Sequence, residues 1–157
     1  MPILTTRHLS PKVRGKVFTT CVRSVMLYGS ETWGLKDTGL QQLRRNDRAM
    51  IRWICGTKVR DETPSVSLLQ KLGIEDIAAV LCSRRLRWYG HVQRASSCIK
   101  AVTDLAIPGT RRKGRPRMTW SECVKKDVIK SGLSGVDPQN RDAWRAGVRR
   151  SLVLPTP

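Results

Sequence analysis

The sequence predicts an all-α protein: a small irregular helical bundle with a basic linker and one or two C-terminal helices. Apolar residues recur at helical spacing in several windows, capping signals stand at the starts of those windows, and no stretch alternates apolar and polar residues as a half-buried strand would. The predicted organisation is a helical domain over residues 1–97, a Gly/Pro-containing basic linker over 98–118 and a helical segment over 119–157.

In order along the chain, Ser10 followed by Pro11 reads as an N-cap and first helical position, because proline lacks the N–H that would be left unsatisfied there. A helix is predicted from there to about Leu27, with Val13, Val17, Phe18, Cys21, Val25 and Tyr28 on its core side and Lys12, Lys16 and Arg23 opposite. Tyr28 to Gly34 reads as a turn, with Trp33 as a packed anchor. A second helix, capped by Asp37 or Thr38, is expected over about Gly39 to Cys55 and should stop at Gly56. Leu40, Leu43, Met50, Ile51 and Ile54 form its stripe; Arg45, Arg48 and Arg52 align elsewhere. Asp47 falls inside the stripe, where a carboxylate needs a partner, and Arg85, which intrudes similarly on its own apolar arc, is the expected one.

Thr63-Pro64 opens a short helix through Leu68, Leu69 and Leu72 to Gly73. Glu75 and Asp76 then suit the first turn of the next helix, which runs to about Gln93. Its wheel gathers Ala78, Leu81, Cys82, Tyr89 and Val92 on one arc and Arg84, Arg87, His91 and Arg94 on another, with Trp88 between; Gly90 should end or bend it. Helical periodicity vanishes from Ser96 to Arg117. Thr119 with Glu122 makes a capping box for a helix ending near Gly132. Asp137-Pro138 should start the last one, with Trp144 and Val148 inward and Arg141, Arg145, Arg149 and Arg150 outward.

Charge decides which partners are plausible. The 157 residues carry 30 Lys or Arg against 12 Asp or Glu, a net +18, with a pI near 10.9. Residues 81–118 hold ten of the basic residues against one acid, Asp104. The row Arg84, Arg87, His91, Arg94 contains no acid for i,i+4 pairing, so its charges repel one another unless a counter-anion is present. RNA or DNA is the expected partner, bound through Arg84, Arg87, Trp88, His91, Arg94, Arg111, Arg112, Lys113, Arg115 and Arg117. Lys113-Gly114-Arg115-Pro116-Arg117 contains the Gly-Arg-Pro core of an AT-hook, so an AT-hook-like chromatin protein is the alternative. A non-functional remnant that binds any polyanion is the third reading.

Other chemistry finds little support. The longest uncharged apolar runs, Ser24–Ser30 and Ile77–Ser83, fall far short of the roughly 20 residues that cross a bilayer. No secretory leader is expected at the N-terminus, and five irregularly spaced cysteines suit reduced thiols in a nuclear or cytoplasmic setting. Cys55, Cys82, His91, Cys98 and Cys123 match no zinc spacing, Cys82 and Cys21 read as core residues, and no metal or cofactor is expected. His8 and His91 stand in no nucleophile motif, and neither paired catalytic aspartates nor a phosphate loop is present. The chain is therefore expected to be no enzyme, without a small-molecule substrate and without a membrane partner.

Four blocks carry a resemblance: Leu27-Tyr28-Gly29-Ser30-Glu31-Thr32-Trp33, Arg85-Leu86-Arg87-Trp88-Tyr89-Gly90-His91-Val92, Gly114-Arg115-Pro116-Arg117-Met118-Thr119-Trp120 and Arg141-Asp142-Ala143-Trp144. In their order and spacing they resemble the carboxy-terminal region of non-LTR (LINE-type) retrotransposon reverse transcriptases, downstream of the catalytic palm. The resemblance implies a helical thumb that grips template and primer, then a basic tail that holds element RNA or target DNA. The palm and fingers of such a polymerase are an implied partner. This sequence has no Tyr/Phe-x-Asp-Asp motif, so the implication stops short of polymerisation and leaves at most an accessory fragment.

Overall fold

The computed structural model describes residues 3–6, 8–95, 98–105 and 118–153, with no side-chain description at 98, 100, 104, 152 and 153. The described residues form helices, turns and bends with no strand. The helices are α1 (Pro11–Val17), α2 (Ser24–Met26), α3 (Asp37–Cys55), α4 (Ser65–Leu72), α5 (Ile77–Arg94), α6 (Cys98–Asp104), α7 (Trp120–Lys130) and α8 (Arg141–Val153). A π-helical segment, Phe18–Arg23, joins α1 to α2, and single 3₁₀ turns occupy Ser30–Thr32 and Val59–Asp61. The chain forms two compact units, one of residues 1–30 and 36–81, the other of residues 31–35 and 82–157. Helix α5 contributes its first turn to one and the remainder to the other.

In the first unit Phe18, Ile51, Ile54, Leu68 and Leu72 make the core, flanked by Val22, Leu69 and Ile74. Ser10 caps α1 through its Oγ, which accepts from the Val13 N–H at 3.4 Å. Helices α3 and α4 end as the sequence predicts, at Gly56 and Gly73 in left-handed conformation.

The helical wheel fails beyond Phe18. A regular α-helix would place Phe18 and a residue five positions later about 140° apart, but the π-helical segment Phe18–Arg23 brings i and i+5 onto one side. Arg23 therefore turns inward, its guanidinium carbon 5.4 Å from the Phe18 ring centre. Phe18, Arg23 and Leu27 are buried, whereas Val13, Cys21, Val25 and Tyr28 are exposed. The core side expected from the uninterrupted period is thus corrected from Phe18 onward, and Val13, which precedes the π segment in α1, is exposed as well. Met50 is also exposed, at the edge of the α3 stripe, while Ile51 and Ile54 are buried.

That rotation changes the partner of Asp47. Arg23 Nε and Nη2 donate to the two Asp47 carboxylate oxygens at 2.8 and 2.7 Å, and Nη1 donates to the Glu75 carbonyl at 2.7 Å. Asp47 does require a buried cation, but that cation is Arg23 rather than Arg85.

In the second unit the core is Leu86, Leu133, Trp144 and Val148, with Cys82, Tyr89, Val128 and Val136 against it. Helix α5 continues unbroken through Gly90, contrary to expectation. A Cβ there would lie 2.6 Å from the Trp144 indole, so the glycine opens the helix surface instead of ending the helix. The indole Nε1 uses that opening to donate to the Leu86 carbonyl at 2.9 Å. Thr119 and Glu122 form the predicted capping box: Thr119 Oγ1 accepts from the Glu122 N–H at 3.3 Å, and Glu122 Oε2 accepts from the Thr119 N–H at 2.8 Å. Helix α8 starts three residues later than Pro138. Asp137 accepts from the Gln139 N–H and forms only a turn, whereas Asn140 Oδ1 accepts from the Ala143 N–H at 3.1 Å and makes the cap.

Candidate nucleic-acid interface

The residues expected to bind nucleic acid on α5 have different environments. Arg87 and His91, one turn apart, are exposed. Trp88 is half-buried, its ring 5.3 Å from His91 and tilted by 33°. Arg84 is half-buried with Nη1 3.8 Å from Glu31, within ion-pair range. Arg94 donates through Nη1 to the Pro138 carbonyl at 2.7 Å, which ties it to the turn before α8 without neutralising it. Arg111, Arg112, Lys113, Arg115 and Arg117 lie outside the described residues, as does the AT-hook-like core they contain.

Arg85 has a structural role. Its Nε donates to Asp127 Oδ2 at 2.7 Å and its Nη1 to the Trp33 carbonyl at 3.0 Å. Burial pushes the Asp127 carboxyl up, and the Arg85 charge pulls it back. The Cys82 thiol is pushed up to about 11, first by burial and then by the Asp127 charge, with Ser131 Oγ 3.5 Å away opposing the shift. Burial likewise raises Cys123, whose Sγ faces the Leu35 carbonyl at 3.5 Å. Both are protonated core thiols at neutral pH. Cys21, expected in the core, is exposed. Among the described residues no group of three or more His, Cys, Asp or Glu is placed to hold a metal ion, and no helix is long and apolar enough to cross a membrane.

Four of the six acids of the second unit serve the fold. Glu31 faces Arg84, Asp127 pairs with Arg85, Glu122 closes the capping box and Asp137 holds a turn. The cations are mostly left outside: Lys125, Lys126 and Lys130 on α7 and Arg141, Arg145, Arg149 and Arg150 on α8 are exposed. Residues 31–35 and 82–157 contain 17 Lys or Arg and 6 Asp or Glu, a net +11, against 13 and 6, or +7, for the rest of the chain. The α7 lysines were missed as candidates because they stand singly or in a pair within a short helix. The α8 arginines were legible as an outward arc.

Residues from each of the four sequence blocks meet inside this unit: Glu31 and Trp33, Arg85 and Leu86, Trp120, and Trp144. Trp120 Nε1 donates to the Glu31 carbonyl at 2.7 Å, Arg85 reaches the Trp33 carbonyl, and Trp144 reaches that of Leu86. Hydrogen bonds from the side chains of Trp120, Arg85 and Trp144 thus join residues of the four blocks to one another. Over 90% of its length the chain is similar to a putative uncharacterized transposon-derived protein of Caenorhabditis elegans, with 23% identity across 156 residues. It spans 56% of that relative's length. No family's sequence pattern matches the chain, and no solved structure does. The similarity points to a transposon origin.

Proposed function

We propose that this chain is a non-catalytic nucleic-acid-binding module similar to the post-palm region of a LINE-type reverse transcriptase, holding template and primer or target DNA by its positive surface. The observation that carries the reading is the separation of charge in the second unit. Glu31, Glu122, Asp127 and Asp137 are engaged in a cap, a turn and ion pairs, while Arg87, His91 and the α7 and α8 cations face solvent. A polyphosphate supplies the anions that the fold withholds. The transposon-derived relative supports the same origin, and the absence of a palm motif from the sequence assigns polymerisation to another domain or chain.

Arg84, Arg87, Arg94 and the run at 111–117 supply phosphate contacts in this reading, with Trp88 and His91 adding stacking or hydrogen bonds. Fluorescence anisotropy on duplex DNA, single-stranded RNA and an RNA–DNA hybrid across a salt series tests it. If about six phosphates are engaged, log affinity for duplex DNA falls against log salt with a slope of about −5. A slope near about −1 rejects the reading.

A further inference from the structure

A groove of about 470 Å³ opens in the second unit, between α5 and α7. That size lies within the range of about 300–1,000 Å³ typical of small-ligand sites. Its aromatic walls are Tyr89 and Trp120, with ring centres 6.3 Å apart and planes at 53°. Both rings are braced from behind. The Trp120 Nε1 is held by the Glu31 carbonyl at 2.7 Å, and Tyr89 lies 5.8 Å from the Trp144 ring. Val124 and Val128 extend the apolar lining, and Gln93, Ser121, Ser134 and the basic residue Lys125 line it as well. No acid lines it.

We infer that this groove binds one unpaired nucleobase, stacked against Trp120 or Tyr89, with its phosphate beside Lys125. The inference rests on the nucleic-acid-binding reading above and assigns a site to it. Flat rings fixed by their own hydrogen bonds and neighbours offer a π-face without further ordering cost. Amide and hydroxyl groups can meet the hydrogen-bonding edge of a base, and the lone lysine matches an anionic ligand rather than a cationic one. A base inside a duplex is already stacked and paired, so the groove selects single strands, unpaired ends or extruded bases. RNA and DNA share that chemistry.

The test uses the full chain and labelled oligonucleotides of one length: single-stranded RNA, single-stranded DNA and a duplex. Ser121 and Ser134 are exposed positions on the groove, so S121F and S134F fill it without removing a core side chain. Each should keep the wild-type melting temperature and duplex affinity and lose about tenfold in single-strand affinity, the effect of one stacked base. Equal losses on the RNA and DNA strands would mean the base alone is read; a larger loss on one names the preferred sugar. Either pattern supports the site. If both folded variants bind single strands as the wild type does, or lose single-strand and duplex affinity alike, the groove assignment is overturned while nucleic-acid binding stands. If the wild type binds none of the three, the parent reading falls and this one with it. Should one variant unfold, the other decides.

Discussion

Each of the two units contains a buried arginine–aspartate pair, and the pairs are finished differently. In the first, Arg23 and Asp47 have side chains 3% exposed, meet through two hydrogen bonds and leave the third guanidinium nitrogen on a backbone carbonyl. In the second, Arg85 and Asp127 are 9% and 15% exposed and meet through Arg85 Nε at 2.7 Å, with Nη1 on the Trp33 carbonyl. A buried charge is tolerated only where its hydrogen-bonding capacity is met. The first pair sits against the Phe18 ring of its core and is closed off. The second sits at the edge of a unit whose largest buried group is Trp144, where some solvent reaches it.

Removing one partner should therefore cost more in the first unit. Asp47→Ala strands a desolvated guanidinium and is expected to destabilise by about 3–5 kcal/mol, read as a fall in the urea midpoint. Asp127→Ala leaves Arg85 with a carbonyl and partial solvent access, and about 1–3 kcal/mol is expected. Replacing both members of the first pair, as in R23M/D47L, should recover most of the loss, because an apolar pair removes the need for compensation. Equal costs for D47A and D127A would break the comparison.

Close approach at a glycine occurs in both units, at Gly15 against the Leu72 carbonyl in the first and at Gly90 against Trp144 in the second, and the glycines of the second unit test what it contributes there. Gly90→Ala puts a Cβ 2.6 Å from the Trp144 ring, so overpacking of about 1–3 kcal/mol is expected, along with a change in the indole fluorescence. Gly135→Ala meets nothing within 4 Å and should be neutral or stabilising by up to about 1 kcal/mol. If both substitutions are neutral, the indole has room to move and Gly90 is not needed for its position.

These features also mark how far residues alone lead. Helix starts and stops were legible at Ser10 before Pro11, at the Thr119–Glu122 box, and at Gly56 and Gly73, whereas α3 starts at Asp37 after Lys36 without the side-chain cap expected from Asp37 or Thr38. The start of α8 was misplaced because Asp137-Pro138 and Asn140 offer competing caps three residues apart, and only packing of Trp144 chooses between them. The inward turn of Arg23 was not legible, since nothing in Phe-Thr-Thr-Cys-Val-Arg announces a π segment. The need of Asp47 for a cation could be read from its place in an apolar stripe; the identity of that cation depended on the π segment. For the candidate interface, the wheel correctly put Arg87 and His91 outward. The contacts of Arg84 with Glu31 and of Arg94 with the Pro138 carbonyl join residues more than forty positions apart, and no periodicity carries that information. The Tyr89–Trp120 groove was missed for the same reason.

The smallest expected effect concerns how acids are used at helix ends. Backbone hydrogen bonding at Thr119 holds the Glu122 carboxyl below its ordinary value, with the hydroxyl of Thr119 and the nearby lysines adding to that shift. A depressed carboxyl contributes stability that is fully present above its unfolded value and is lost as pH falls through its folded one. E122Q keeps an oxygen able to cap but has no charge to lose. The difference in melting temperature between wild type and E122Q should therefore be present at neutral pH and shrink to nothing between about pH 5 and about pH 2. Buried pairs elsewhere titrate identically in both proteins and cancel. A difference that stays constant across that window would mean that geometry, not charge, makes the cap, and that Lys125 and Lys126, three and four residues on, add nothing to it.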